Sequence, residues 1–521
     1  MTLRLNLRQI QAMFLGTKKY AVLSLALSGV CVLGAIALFS PLTTSFAKAA
    51  AQKPNIIFII ADDLGYGEIS AYKKDWVPTP NIDSLGKSGM RFTDGHVSAA
   101  VCAPSRAGFN TGRSGVRHGS EYNAGDGVNQ DEKTVGEMLK QAGYATAAIG
   151  KWHMGLKEGR HPLEQGYDEF FGMNSGSLYI AINDPEAVNG FGVSADADLK
   201  TGQRLRPIFR GRKPVEEKEY LTEAFTREAL DFIDRNKNSK NPFFIYLAYN
   251  APHAPIQTTQ KYYDRFPNIK DKNSRIHAAM VSALDDGVGE ILKKLKDEGL
   301  DKNTMVVFIS DNGCPETFNG SCSNAELNGW KRYHLEGGHR IPFFISWPGH
   351  VPVGVVYKNP VSALDLYPTF AAIAGGQLPQ DRVIDGVDLM PYMTSANKDM
   401  PHPELYWRSG GSFAVREGKW KLVVANKTPV TEFLNIKQSE EGGLLAHPPY
   451  AGVSPLGQHV MLYDLENDLE EKHNLASQHP DIVAGLRKKF EEWNKDNVPS
   501  NAKSSRAFPT VIDGEVVELA F

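Results

Sequence analysis

The chain has 521 residues, 42% of them hydrophobic and 22% charged, with a formal net charge of -3. That length suits one large domain with a smaller appendage, and the near-neutral balance excludes nucleic-acid binding as the main activity, since that needs a basic surplus. No low-complexity tract and no internal repeat of roughly 20 to 50 residues is present.

The first element is an export signal over residues 1-49. Arg4, Arg8, Lys18 and Lys19 precede an uncharged run from Ala21 to Phe39, and small residues follow. Ser45 with Ala47, or Ala47 with Ala49, suits the -3 and -1 positions of a cleavage site. The competing reading is an uncleaved anchor, because the run approaches the length that spans a bilayer. Val30 rather than Gly precedes Cys31, which argues against a lipoprotein site. No other stretch could cross a membrane, so a periplasmic or secreted protein with no stable membrane span is expected. Of the four cysteines, Cys31 leaves with the signal and Cys102, Cys314 and Cys322 remain. An odd number in an oxidising compartment flags one thiol as special. Cys314 and Cys322 share a short segment and could close a small disulfide loop, which leaves Cys102 over.

Residues 52-400 alternate strand and helix signals. Asn55 to Ile60 is a short apolar run bounded by Pro54 and Asp62-Asp63, which predicts a central strand covered on both faces. Phe243 to Tyr249 and Met305 to Ile309 have the same character, with Ala145 to Ile149 a weaker case. Phe225, Ala229, Phe232 and Ile233 share one helical face. So do Ile276, Met280, Ala283, Val288, Ile291 and Leu295, with Asn273 or Ser274 as the N-cap. Strand alternating with helix predicts an α/β fold with a mostly parallel central sheet flanked by helices. Ligands of such sheets bind at the carboxyl ends of the strands. Polar residues follow these runs at once: Asp62-Asp63, Lys151 and His153, His253, and Asp311-Asn312. Four strand exits are therefore expected to bring carboxylates, imidazoles and a lysine to one edge.

Residues 401-500 read as a smaller C-terminal subdomain with an antiparallel sheet and a helix. Phe413 to Val424 suggests two strands around a Glu-Gly turn, Met461 to Leu465 a third, and Asp481 to Trp493 an amphipathic helix. Residues 501-521 read as a loose tail.

The chemistry centres on Cys102-Ala103-Pro104-Ser105-Arg106, followed by Thr111-Gly112-Arg113. Pro104 and Ser105 suit a first helical turn, which puts Cys102 at a helix N-terminus, where an anion is favoured. Taken alone, this could be a buried cysteine near a helix start. The C-x-P-S-R and T-G-R spacing, however, resembles the signature of the type I, formylglycine-dependent sulfatases. The run Ile59 to Gly67 resembles that family's opening strand. Gly150-Lys151-Trp152-His153, Pro252-His253-Ala254-Pro255, Ser310-Asp311-Asn312-Gly313 and Gly329-Trp330-Lys331 resemble later blocks, in family order. Tyr463-Asp464-Leu465 and Asn474-Leu475 resemble its C-terminal subdomain.

The resemblance implies an alkaline-phosphatase-like fold and hydrolysis of a sulfate monoester, on a sulfated carbohydrate or polysaccharide given the export signal. It implies oxidation of Cys102 to formylglycine by a formylglycine-generating or sulfatase-maturating enzyme. In the family one hydroxyl of the hydrated aldehyde takes the sulfate, and the second then expels it. That is covalent catalysis in which one hard step becomes two easier ones. Asp62, Asp63, Asp311, Asn312 and the modified residue 102 would ligate a divalent metal. An irregular all-oxygen set suits Ca2+ more than Mg2+. Taken singly, Asp62-Asp63 and Asp311-Asn312-Gly313 read as ordinary turns; it is their joint placement at strand exits that favours a site.

By the same resemblance Arg106 and Lys151 attend the formylglycine oxygens and Lys331 the sulfate. His253 would protonate the leaving oxygen and His153 assist the formylglycine, with nearby anions expected to raise both imidazoles. Gly338-His339-Arg340, Ser175 and Ser177 are weaker pocket candidates. Arg204, Arg206, Arg210, Arg212 and Lys213 form a basic run that reads as an exposed loop, or more sharply as a subsite for a polyanionic glycan. The rival functions are a phosphoesterase or phosphonate hydrolase of the same superfamily, and a non-catalytic sulfated-glycan binding protein with an inert Cys102.

Overall fold

Asn55–Ala61 (β1) is buried at every position, and its side chains divide between two cores. Ile56, Phe58 and Ile60 face one side; Ile57, Ile59 and Ala61 face the other. The period of two in a strand makes this division, and a strand that must satisfy two cores reads as continuous apolar sequence. The computed structural model describes residues 52-73, 77-123, 127-155, 157-174, 186-192, 208-316, 320-427, 446-447, 457-500 and 505-520. The expected signal, residues 1-49, lies outside them. No helix among the described residues is long and apolar enough to cross a membrane.

Five parallel strands form the centre of a ten-stranded sheet. They are β1, Ala145–Lys151 (β2), Glu169–Met173 (β3), Phe243–Ala248 (β4) and Thr304–Ser310 (β5), in the spatial order β5-β1-β4-β2-β3. Beyond β5 lie Phe343–Ser346 and Met90–Phe92, each antiparallel to its inner neighbour, then Val355–Tyr357. Beyond β3 lies the antiparallel pair Ile208–Arg210 and Lys213–Val215. The registers Ala61↔Ser310, Ile60↔Ala248 and Gly150↔Ala248 bring the ends of β5, β1, β4 and β2 level.

Helices cover both faces. Cys102–Thr111 (α1) contributes Ala107 and Phe109 to one core, while Leu221–Asn236 (α2) and Lys272–Asp297 (α3) pack on the other. The N-cap of α3 is Asp271 rather than Asn273 or Ser274. Its carboxylate accepts the Ser274 N–H at 2.8 Å, which starts the helix a residue or two before the expected cap.

Residues 401-500 supply Glu404–Ser409, Ser412–Glu417, Trp420–Lys427 and Gln458–Asp464, all antiparallel, with helix Pro480–Asn494 beside them. The segment expected as a loose tail is instead ordered into this sheet. Ser505–Ile512 and Glu515–Ala520 form a hairpin whose second strand pairs with Asn426 and Lys427. The turn is Asp513-Gly514, both in the left-handed region as a tight hairpin requires, and Ile512 and Leu519 are buried.

Candidate active site

The four level strand ends deliver Asp62-Asp63 after β1, Asp311-Asn312 after β5, His253 beyond β4, and Lys151 as the last residue of β2. Gly150 makes the last placement possible: with φ +100, any Cβ there would lie 1.9 Å from the Ala248 carbonyl oxygen of β4. Opposite this edge stands Cys102, the first residue of α1. Lys331 arrives from the loop that continues past the Cys314–Cys322 disulfide. Its backbone N–H donates to Cys314 O at 3.0 Å. Asn324 stitches the same loop, accepting from Cys314 N at 2.9 Å and donating to Cys314 O and Gly329 O at 3.1 Å each.

The result is a buried cluster around one sulfur. Cys102 Sγ lies 3.0 Å from Lys331 Nζ, 3.6 Å from Asp62 Oδ1 and 3.8 Å from Asp63 Oδ1. Each carboxylate has its own cation: Asp62 with Lys151 at 2.5 Å, Asp63 with Lys331 at 2.6 Å, and Asp311 with Arg106 at 2.8 Å. The Arg106 fork also donates to Lys151 O at 2.8 Å. Asn312 Nδ2 donates to Asp63 Oδ1 at 2.6 Å, and the Asp63 N–H donates to Asp311 Oδ1 at 3.1 Å. His253 Nε2 stands 3.5 Å from Asp63 Oδ2, while its Nδ1 faces Ala254 O. Asp63 and His153 both adopt left-handed backbone without being glycine, a strain that packing must hold in place.

Electrostatics separate the titratable groups. Burial and Asp311 push the Cys102 thiol up, but Lys151 and Lys331 outweigh them and bring it down to about 7. Burial opposes ionisation of Asp63, yet Lys331, His253 and Lys151 hold its carboxyl well below the usual carboxylate range. Burial and the neighbouring Asp62 raise Asp311 to about 6 against the pull of Arg106. The histidines move in opposite directions. Burial lowers His253, but Asp62 and Asp63 more than offset it and the net shift is upward. His153 was expected to rise as well. Instead burial, Lys151, Arg106 and Lys331 hold it far below its ordinary value, because cations outnumber anions on that side. Two like groups driven apart in this way divide readily into a proton donor and a proton acceptor.

Cys102, Arg106, Lys151, His253, Lys331, Asp62, Asp63, Asp311 and Asn312 are thus joined by direct contacts. His153 joins them electrostatically, and its Nδ1 is buried without a hydrogen-bond partner among the described residues. The weaker candidates fare differently. Ser175, Ser177, Arg204 and Arg206 lie outside the described residues. Arg210 is paired with Glu228 and Arg212 with Glu164, both at 2.6 Å, so neither is a free anion-binding cation. His339 stacks on Trp407 at the contact with the C-terminal sheet rather than lining this site. Sequence reasoning missed Asn324 and the Glu68–His277 pair. Glu68 accepts the Gly65 N–H at 2.7 Å and lies 2.6 Å from His277 Nε2, bracing the loop that follows Asp63. None of the three sits in a pattern that composition or spacing distinguishes from a turn or a surface helix.

Comparison with known proteins agrees with this geometry. A family model described as Sulfatase matches residues 54–376. The chain is 34% identical over 389 residues to N-acetylgalactosamine-6-sulfatase of Mus musculus, covering 72% of each protein. It is 35% identical over 458 residues to arylsulfatase A of Bos taurus, covering 84% of this chain and 86% of that one. Among solved structures, Ps i-CgsB in complex with k-i-k-neocarrahexaose aligns with TM-score 0.73 and 35% identity, over 86% of this chain and 94% of that one.

Proposed function

The chain belongs to the sulfatase family and is a sulfuric ester hydrolase, and on that premise we propose that it removes sulfate from a sulfated carbohydrate using formylglycine at position 102 and a bound Ca2+. The observation that carries this reading is the convergence of three carboxylates, one amide and three cations on Cys102 at a helix N-terminus. Cys102 Sγ stands where the oxygens of the modified side chain would be.

The residues fit the metal. Asp62, Asp63, Asp311 and Asn312 offer only hard oxygen donors, as Ca2+ prefers. Asn312 Oδ1 is buried with no hydrogen-bond partner among the described residues, as expected of an atom reserved for a cation. When present, the aldehyde hydrate supplies a hydroxyl nucleophile and a route for releasing sulfate, and the cation stabilises negative charge on its oxygen.

The chain's own residues do the rest. Arg106, locked by Asp311 and the Lys151 carbonyl, contributes fixed charge that needs no reorganisation. Lys151 and Lys331 hold positive charge beside residue 102, where the ester's charge accumulates. His253, whose proton Asp62 and Asp63 help to retain, donates to the leaving alcohol oxygen. His153, neutral among cations, accepts a proton. A carbohydrate substrate is supported by the sugar-directed names of the similar proteins. Residues 52-400 act as the catalytic domain and 401-500 as its subdomain. Export by residues 1-49 to the periplasm or beyond, and a formylglycine-generating or sulfatase-maturating enzyme as partner, complete the reading.

The test has three parts. Peptide mass around residue 102 reports the thiol-to-aldehyde exchange. Metal analysis before and after chelation, with Ca2+ added back, reports the ion. Matched sulfate, phosphate and phosphonate esters report the reaction, and preference for either phosphorus ester would replace this reading.

A further inference from the structure

We propose that Asn123 is a positioning residue for the group at position 102, and that the C-terminal subdomain holds it in place; this rests on the reading that residue 102 carries the nucleophile.

The first turn of a helix has backbone N–H groups with no partner inside the helix. Most helices satisfy one with a Ser, Thr, Asp or Asn at the N-cap. Here the N-cap is Val101, whose side chain has no oxygen to offer. Pro104 has no N–H, and Ser105 N already donates to Val101 O at 3.1 Å. The Ala103 N–H, next to residue 102, is taken by Asn123 Oδ1 at 3.0 Å. A side chain from 20 residues downstream therefore does what the local sequence omits.

Asn123 follows Glu121 and Tyr122, which are fastened to a different part of the chain. Glu121 is buried, and its Oε1 accepts from Arg408 Nε at 3.1 Å and Gly410 N at 3.0 Å. Its Oε2 accepts from Ser500 Oγ at 2.6 Å. Ser409 Oγ donates to Tyr122 OH at 2.8 Å. Arg408 also donates to Asn494 Oδ1 at 2.6 Å and Val498 O at 2.9 Å, joining this segment to the end of the C-terminal helix. The turn between Glu404–Ser409 and Ser412–Glu417 in the C-terminal subdomain thus fixes the first turn of the helix that presents residue 102. The capping oxygen is on a neutral amide, so it holds the helix without adding charge beside a nucleophile that must become anionic. A misplacement of about 1 Å in a reacting group can cost on the order of a hundredfold in rate, so this link acts on turnover more than on substrate affinity.

The experiment compares wild type with Asn123→Ala, Asn123→Asp, Ser409→Ala and Cys102→Ala. It measures hydrogen exchange at the Ala103 amide, and kcat and KM per mole of modified residue 102. In Asn123→Ala we expect Ala103 to exchange at least about tenfold faster. We expect kcat to fall about tenfold or more with KM within about twofold. Asn123→Asp keeps the acceptor and restores amide protection, and Ser409→Ala gives the same signature more weakly. Asn123→Ala with kcat within about twofold of wild type, or with a lower kcat but unchanged Ala103 exchange, overturns the proposal. An unaffected Ser409→Ala removes the subdomain from it. Turnover by Cys102→Ala would defeat the underlying reading instead, whatever the Asn123 variants show.

Discussion

Two buried clusters in this molecule each contain three carboxylates and three permanent cations, and only one of them resembles a catalytic centre. The first surrounds Cys102. The second joins the catalytic and C-terminal sheets and contains Asp94, Glu336, Glu471, Arg340, Arg416 and Lys421, with His96 and His339 among them. Each also has a trio or quartet of groups close enough to hold an ion. In the second, however, the positions around the imidazoles are already taken. Arg416 grips Asp94 with two bonds of 2.7 Å and approaches His96 Nε2 at 3.2 Å, while Lys421 lies 3.1 Å from His339 Nε2. An added cation would meet arginine and lysine first. In the first cluster an amide oxygen is left over, and His153 and His253 are only half-buried, so one end is open to a ligand. Backbone strain does not separate the two, since Glu471 is left-handed like Asp63 and His153. What distinguishes a site from a staple here is unspent bonding capacity, not the number of charges.

Mutation should divide the two clusters by what is lost. Cys102→Ala should abolish turnover, by on the order of a thousandfold or more, because the nucleophile is gone. Its unfolding midpoint should stay within a few degrees of wild type, since the change removes a single buried sulfur. Measurable turnover would end the comparison on its active-site side. His253→Gln should lower kcat by about a hundred- to ten-thousandfold. It should also remove the alkaline limb of the pH–rate profile. A group that must be protonated to donate loses activity as pH rises through its pKa, and Asp62 and Asp63 displace that limb upward from the ordinary histidine value. His153, already neutral, should add no acid limb near neutrality. Lys421→Met should do the opposite of both. It strands the buried Glu336 charge and removes the partner of the buried Glu471, and should cost about 3 to 5 kcal/mol of stability by denaturant titration. Molecules that remain folded should keep their kcat. A fall in kcat without a fall in stability would show that the interface reports to the chemistry.

The contrast also explains what sequence could reveal. β1, β4 and β5 were legible because burial on both faces forces uninterrupted apolar runs, and the polar residues ending them fall where the strand-exit rule places ligands. Asp62, Asp63, Lys151, His153, His253, Asp311 and Asn312 could therefore be grouped in advance, whereas Cys102, Arg106 and Lys331 were singled out through the family resemblance. The direction of the His153 shift could not be read in advance, because it depends on burial and on three cations that meet only in three dimensions. The Asp513-Gly514 hairpin was misread as a tail although its turn signal was present, since the partner strand is more than 80 residues away in sequence. Of the interface cluster, His339 and Arg340 drew notice only as pocket candidates, and Asp94, Glu336, Lys421 and Glu471 are scattered charges that read as surface. Asn123 is equally silent, as a lone asparagine in a loop.

The smallest predicted effect tests whether the interface cluster is as closed as it looks. Burial and the neighbouring Glu336 raise Glu471 to about 7, despite Lys421. An acid that keeps its proton when folded and loses it when unfolded gives the folded state more bound protons. Stability then falls as pH rises from the ordinary glutamic acid value of 4.5 to about 7, and levels off beyond. Glu471→Gln removes that proton without removing the acceptor of the Glu336 N–H, a 2.6 Å bond. At pH 5 the variant should unfold within a few degrees of wild type, and by pH 8 it should have gained on wild type by on the order of 1 kcal/mol, read from denaturant midpoints at the two pH values. A variant that instead loses ground as pH rises would mean that Glu471 is ionised in the fold. Its charge would then be one that Lys421 needs, and the two clusters would differ less than their geometry suggests.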